Sequence, residues 1–181
     1  MLGKLEMPIS SKNIRNNLKL LQRLYDSAMN SSSKDSSLEA ALYSKLAIIE
    51  LSGWIEETID TILTDYLNRT INNLALRNTI EKEVIQRVYG FRYGTDFRPL
   101  MERILGGEKF QYIISRLEKK GACTSQLHHA LSILTTRRDR AAHTHQKGVM
   151  QSYDAPSWTI QQLNIILPIF RRIQSMVKNM K

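Results

Sequence analysis

The chain has 181 residues, enough for one domain with a sizeable core, and 26 Lys and Arg against 17 Asp and Glu give a formal net charge of +9. The hydrophobic fraction of 42% excludes a wholly disordered chain, and the single cysteine, Cys123, excludes a disulfide framework and a cysteine-built zinc site. We find neither an apolar run of the roughly 20 residues that a membrane span needs nor a signal peptide, so a cytoplasmic protein with no membrane contact is expected. The positive charge favours an acidic partner, most commonly nucleic acid.

Apolar residues recur at steps of three and four from near the start of the chain, which predicts helices. The first helix is predicted to begin at Ser10 or Ser11. A serine-rich loop follows, with a cap at Ser36 or Ser37, and then a long helix from Leu38 to about residue 70. A glycine inside this helix often permits close backbone approach. Nine of its positions track one another: Leu42, Leu46, Ile49, Gly53, Glu56, Glu57, Asp60, Leu63 and Leu67.

The rest of the chain follows the same pattern. A third helix is predicted over about 73–89, ending at Gly90, and an aromatic loop covers 91–97. Two short helices follow, and the next strong segment runs from 124 to about 144. The last helix opens at Pro156 and is expected to kink at Pro168. With no alternating strand pattern, the prediction is an all-α fold: a single domain over 1–181, built as a bundle of long antiparallel helices with shorter accessory helices.

One segment, 137–145, places three arginines and two histidines at the end of a predicted helix. At 100° per residue, Arg138 falls on the apolar stripe of that helix, where a charge needs a partner or an interface. Asp139 and His143 lie four residues apart on a common face, so the carboxylate is able to orient the imidazole and stabilise its charged form. The stripe consists of Leu127, Leu131, Leu134 and Ala141.

These side chains suit cleavage of a phosphodiester bond. An arginine holds a phosphate oxygen in bidentate fashion, and a histidine transfers a proton near neutral pH. In RNA the 2′-hydroxyl is an internal nucleophile, so the chemistry needs neither a metal nor a cofactor. The sequence contains no glycine-rich phosphate loop and no His-Glu-x-x-His motif, and the adjacent His128 and His129 diverge by about 100° on a helix. No metal site and no cofactor are therefore expected.

The segment Arg138-Asp139-Arg140-Ala141-Ala142-His143 resembles the signature of the HEPN superfamily: arginine, a polar residue, three further residues and histidine. The stretch 47–56 is similar to the stand-alone RiboL-PSP-like branch. Asp139 stands where asparagine is usual. The resemblance implies a metal-independent endoribonuclease that acts as a toxin or a phage-defence effector. It assigns the catalytic roles to Arg138 as phosphate clamp, His143 as acid/base group and Asp139 as orienting residue. The residues expected to hold the RNA are Arg137, Arg140 and His145.

HEPN proteins are typically dimers, and the same resemblance implies a homodimer here. Arg138 and His143 are about 140° apart on a straight helix, so one helix does not aim both side chains at one phosphate. The Arg138–His143 segments of the two subunits are therefore expected to face each other across the dimer interface. A cognate antitoxin or a nucleotidyltransferase-like partner is a further implied partner, besides RNA.

Other interpretations stay open. Arg140 and His145 share the five-residue spacing of the motif. The segment also fits a basic helix end that interacts with the helix dipole, with Arg138 paired to Glu56 or Asp60 in the core. A third interpretation is a non-catalytic HEPN-like module that binds nucleic acid or a protein partner through the same surface.

Overall fold

The computed structural model describes residues 9–119, 124–142 and 152–180. Within these ranges the chain forms seven α-helices and two single π-helical turns, and no strand, which confirms the predicted all-α class. The π-helical turns cover Glu81–Ile85 and Tyr93–Phe97. The helices are α1 (Lys12–Met29), α2 (Ser36–Thr70), α3 (Leu74–Ile80), α4 (Arg98–Leu105), α5 (Gly107–Lys119), α6 (Thr124–Ala142) and α7 (Pro156–Lys178).

Three long helices form the frame of the bundle, and side-chain hydrogen bonds fix their directions. Asn17 Nδ2 donates to Glu50 Oε2 at 3.0 Å, and Trp54 Nε1 donates to the Ser10 carbonyl at 3.2 Å, so α1 and α2 are antiparallel. Arg15 on α1 donates to Asn164 on α7 at 2.9 Å, and the backbone N–H of Ile9, just before α1, donates to Gln174 at 3.1 Å. Helix α1 is therefore antiparallel to both neighbours, and α2 and α7 run in the same direction.

One continuous cluster of buried apolar side chains joins all the long helices. The Phe97 ring, from the second π-helical turn, lies 6.1 Å from that of Phe170 on α7 and 6.3 Å from that of Phe110 on α5. Each fully buried side chain of this size contributes roughly 1.5–3 kcal/mol. The predicted stripe of α6 is confirmed as core: Leu127, Leu131, Leu134 and Ala141 are buried. On α7 the buried face is formed by Leu163, Ile166, Phe170, Ile173 and Val177.

Two local expectations about α2, its N-cap and the role of its glycine, were wrong. The helix begins at Ser36 with Asp35 in the N-cap position, one or two residues before the expected caps. Gly53 is exposed, and a Cβ built on it meets no atom within 4 Å, so it permits no close backbone approach. Leu42 and Leu46 are exposed on the side of α2 away from the core.

The predicted third helix is also interrupted. Helix α3 ends at Ile80, and the chain continues as a π-helical turn that buries Ile85. The expected aromatic loop contains the second π-helical turn. At its start, the Asp96 side chain accepts a hydrogen bond from the Arg92 backbone N–H at 2.8 Å. Pro168 lies inside α7 as predicted. Among the described helices, we find none with an apolar stretch that could cross a bilayer.

Candidate functional site

The basic segment predicted as the site lies on the last two turns of α6. The buried apolar stripe of α6 extends to Ala141, and the three arginines lie among its last residues, where the helix leaves the core. Four of the predicted residues are described: Arg137, Arg138, Asp139 and Arg140. The other two, His143 and His145, lie outside the described residues.

Arg138 is half-buried and contacts two carboxylates. Its Nη2 lies 3.5 Å from Glu56 Oε1 on α2, and its Nη1 lies 3.3 Å from Asp139 Oδ1. The partner that its position on the apolar stripe requires is therefore supplied within the chain, and the pairing with Glu56 is confirmed. Both distances exceed the 2.7–2.9 Å or so of a tight charge-assisted hydrogen bond.

Asp139 lies between two arginines. Besides Arg138, its Oδ2 lies 3.9 Å from Arg92 Nη2, in the segment before the second π-helical turn. Arg92 could not be predicted as a member of the site, because 47 positions separate it from Asp139 and no local pattern marks their contact. Its side chain is 45% exposed, so the carboxylate is also accessible to a further donor.

Arg137 belongs to the packing between α6 and α7. It forms an ion pair with Asp154, and its guanidinium carbon lies 4.4 Å from the centroid of the Trp158 ring. Arg140 is exposed, and its guanidinium carbon lies 5.9 Å from the Tyr153 ring centroid. Tyr153 and Asp154, just before α7, thus lie next to two of the predicted RNA-binding arginines.

An acidic groove of about 500 Å³ borders this cluster on the α2 side. Burial raises the pKa of Glu56; Arg138 opposes this shift and Asp96 adds to it. Burial, together with the charges of Glu56 and Glu81, raises the pKa of Asp60 to about 6. These carboxylates repel one another, so a bound proton or a nearby cation stabilises them. The groove is lined by Gly53, Glu56, Glu57, Asp60, Thr61, Thr64, Asp65 and Glu81.

The site therefore combines a guanidinium that can receive an anion with two carboxylates that compete for it. A phosphate that binds Arg138 competes with Glu56 and Asp139, and Arg92, 3.9 Å from Asp139, offsets part of the negative charge that remains. Within the part of the chain that the structure describes, no three His, Cys, Asp or Glu side chains are arranged to hold a metal ion.

Comparisons of the chain with models of known protein families, with curated proteins and with solved structures find no match. The resemblance to HEPN proteins thus depends on the six residues of the motif and their helical setting.

Proposed function

We propose that the chain is a single-domain, metal-independent endoribonuclease of HEPN type. The observation that supports this most is the position of Arg138: a half-buried guanidinium near the end of a core helix, in contact with Asp139, which Arg92 also approaches. Such a group binds a phosphate in bidentate fashion when the competing carboxylate gives way.

In this proposal RNA displaces Glu56 from Arg138, which then holds a non-bridging oxygen of the scissile phosphate. His143 removes the proton of the 2′-hydroxyl, and Asp139 stabilises the imidazolium that forms. The 2′-oxygen attacks phosphorus, the bond to the 5′-oxygen breaks, and the leaving 5′-oxygen takes up the proton from the His143 imidazolium, which leaves a 2′,3′-cyclic phosphate and a 5′-hydroxyl. Arg140 and His145 bind flanking phosphates. Arg137 adds positive charge while Asp154 and Trp158 hold its side chain.

The biological role that fits this chemistry is a toxin or phage-defence effector in the cytoplasm. RNA would be its target, and an antitoxin or a nucleotidyltransferase-like protein its neutralising partner. The proposed active form is a homodimer. Expression in a bacterial host should stop growth, and the Arg138→Ala variant should not.

A cleavage assay on single-stranded RNA tests the activity. The wild-type protein should cut RNA in the presence of EDTA, leave DNA intact and produce 2′,3′-cyclic ends. Arg138→Ala and His143→Ala should each lose at least a hundredfold in rate, since general acid–base catalysis contributes about 10²–10⁴. The matched controls are Arg87→Ala and His129→Ala, two exposed positions outside the site, which should cleave normally. Full cleavage by either site variant, or a requirement for Mg²⁺, would contradict the proposal.

The second candidate is a non-catalytic module that binds nucleic acid or a protein through the same surface. Two contacts favour it, because they neutralise arginines of the proposed site: Glu56 contacts Arg138, and Asp154 forms an ion pair with Arg137. This function predicts RNA binding that is unchanged in His143→Ala and weakened in Arg140→Ala, with no cleavage by any form of the protein.

A further inference from the structure

The positive charge of the protein is concentrated on two of its helices. Helix α1 carries four basic residues and one acidic residue, and α7 carries three basic residues and no acidic one. Together they hold +6 of the net charge of +9. Helix α2 has the opposite balance, with two basic and six acidic residues. Because α1 packs against α7, the molecule has a basic side and, along α2, an acidic one.

A groove of about 480 Å³ lies between α1 and α7 on the basic side. The hydrogen bond from Arg15 to Asn164 holds the two helices side by side next to it. Lys19 and Arg23 are exposed, and neither has an ion-pair partner among the described residues. The groove therefore offers two cations to an anion. This α1–α7 groove is lined by Asn16, Lys19, Gln22, Arg23 and Ile160.

The polar residues of α1 follow one another along a single face. They recur at steps of four, three and four, so they share this face over roughly 16 Å of helix. Such a row suits a chain of phosphates better than one small anion, because the cations bind successive phosphates and the amides between them reach the sugars or the base edges. The row consists of Lys12, Asn16, Lys19 and Arg23, all of them exposed.

The α1–α7 groove lies close to the candidate site. Trp158, near the start of α7, contacts Arg137 of the basic segment on α6. Ile160 follows two residues later, which turns it about 200° around the helix, so Trp158 faces α6 and Ile160 faces α1. Only the first turns of α7, roughly the 10 Å width of one helix, separate the groove from the α6 arginines.

We infer that the α1–α7 groove binds single-stranded RNA and holds the backbone of a strand that crosses α7 from the basic end of α6. The acidic groove on α2 repels the same strand, so charge directs it over α7. The α1–α7 groove is concave and mostly polar, whereas a helix that binds a lipid surface inserts protruding apolar side chains. RNA, rather than another polyanion, is the ligand that the proposed function supplies, and in this choice the inference rests on that function.

Fluorescence anisotropy with a 2′-O-methyl RNA strand of about 20 nucleotides tests the groove. The probe has no free 2′-hydroxyl, so binding is measured independently of cleavage. The double variant Lys19→Gln, Arg23→Gln should raise the Kd roughly 10–30-fold at about 0.1 M salt. The slope of log K against log salt should become shallower by about 1.4, because each lost phosphate contact removes about 0.7.

The matched control is the double variant Lys82→Gln, Lys119→Gln. It removes the same charge from two exposed positions outside the groove, so its Kd should stay within about threefold of the wild-type value. Asn16→Asp, which adds a carboxylate to the groove and keeps both cations, should weaken binding in the same direction as the first variant. Circular dichroism confirms that each variant is folded.

Equal Kd values for the wild-type protein and the groove variant would overturn the inference. So would binding to anionic vesicles, and not to the RNA probe, that the groove variant loses, because the partner would then be a membrane. A protein that binds the probe through the groove and cuts no RNA supports the groove and contradicts the proposed ribonuclease. Cleavage of RNA combined with an unaltered Kd of the groove variant does the reverse.

Discussion

Arg138 Nη2 lies 3.5 Å from Glu56 Oε1, and this contact joins α6 to α2 across 82 positions of the chain. The same contact occupies Nη2 of Arg138, one of the nitrogens proposed to bind a phosphate. Glu56 is therefore an internal competitor for any anion that binds Arg138, and the strength of anion binding depends on how readily this carboxylate leaves.

Glu56→Gln should strengthen RNA binding. The amide keeps the shape of the side chain and removes the charge that competes for Arg138. An exposed ion pair is worth at most about 1 kcal/mol, which corresponds to roughly a fivefold lower Kd. Fluorescence anisotropy with a short single-stranded RNA at fixed salt measures the change. Glu108→Gln, at an exposed position on α5, is the control and should show little change. An unchanged Kd for Glu56→Gln would contradict the proposal that RNA displaces Glu56 from Arg138.

Asp60→Asn should stabilise the fold at pH 8 and not at pH 4. The pKa of Asp60 is raised to about 6, so the folded state binds this proton more tightly than the unfolded state does. Ionisation of Asp60 therefore destabilises the fold, and this loss of stability grows as the pH rises from about 4 through 6. Because the side chain is partly exposed, solvent screening reduces this cost to about 1 kcal/mol, or roughly 2–4 °C in Tm. Thermal melts at both pH values measure it. An equal gain at pH 4 would show that the charge is not the cause.

Gly53→Ala and Gly106→Ala should change stability in opposite directions. Gly53 lies inside α2 with open space around a built Cβ, so alanine should add roughly 0.5–1 kcal/mol to the free energy of unfolding. Gly106 ends α4 with a φ of 89°, which a side chain rarely adopts, so the same substitution should destabilise the protein. Urea unfolding of the two variants gives the comparison. A destabilised Gly53→Ala would indicate a close contact at this face of α2.

Arg137→Ala should lower stability more than it lowers RNA binding. The substitution leaves Asp154 without its ion-pair partner and uncovers the Trp158 ring, at an expected cost of about 1–2 kcal/mol. Thermal melts and the emission of Trp158 report the change. The control is Arg87→Ala, which removes an exposed pair with Glu83 and should have little effect. An unaltered Tm combined with a large loss of RNA affinity would place Arg137 in the binding surface.

The sequence predicted those features that follow from helical periodicity. Leu127, Leu131 and Leu134 are buried because residues at steps of three and four share a face, and this phase also indicated that Arg138 needs a partner. Periodicity does not state what an apolar face meets, which is why the exposure of Leu42 was not anticipated. The contact between Arg92 and Asp139 depends on how two distant segments pack, and no local pattern encodes it.

Gly90 is a position where the backbone itself determines the geometry of the site. Its φ is 145°, and a Cβ at this position would lie 2.8 Å from Asp96 Oδ2, the oxygen that accepts the Arg92 backbone N–H. Any side chain here pushes Asp96 away, loosens the turn that begins at Arg92 and withdraws a cation from Asp139. A substitution at position 90 would therefore alter the electrostatics of α6 without changing any residue of the motif. A search for the motif alone would not recognise chains that have lost the Arg92–Asp139 contact in this way.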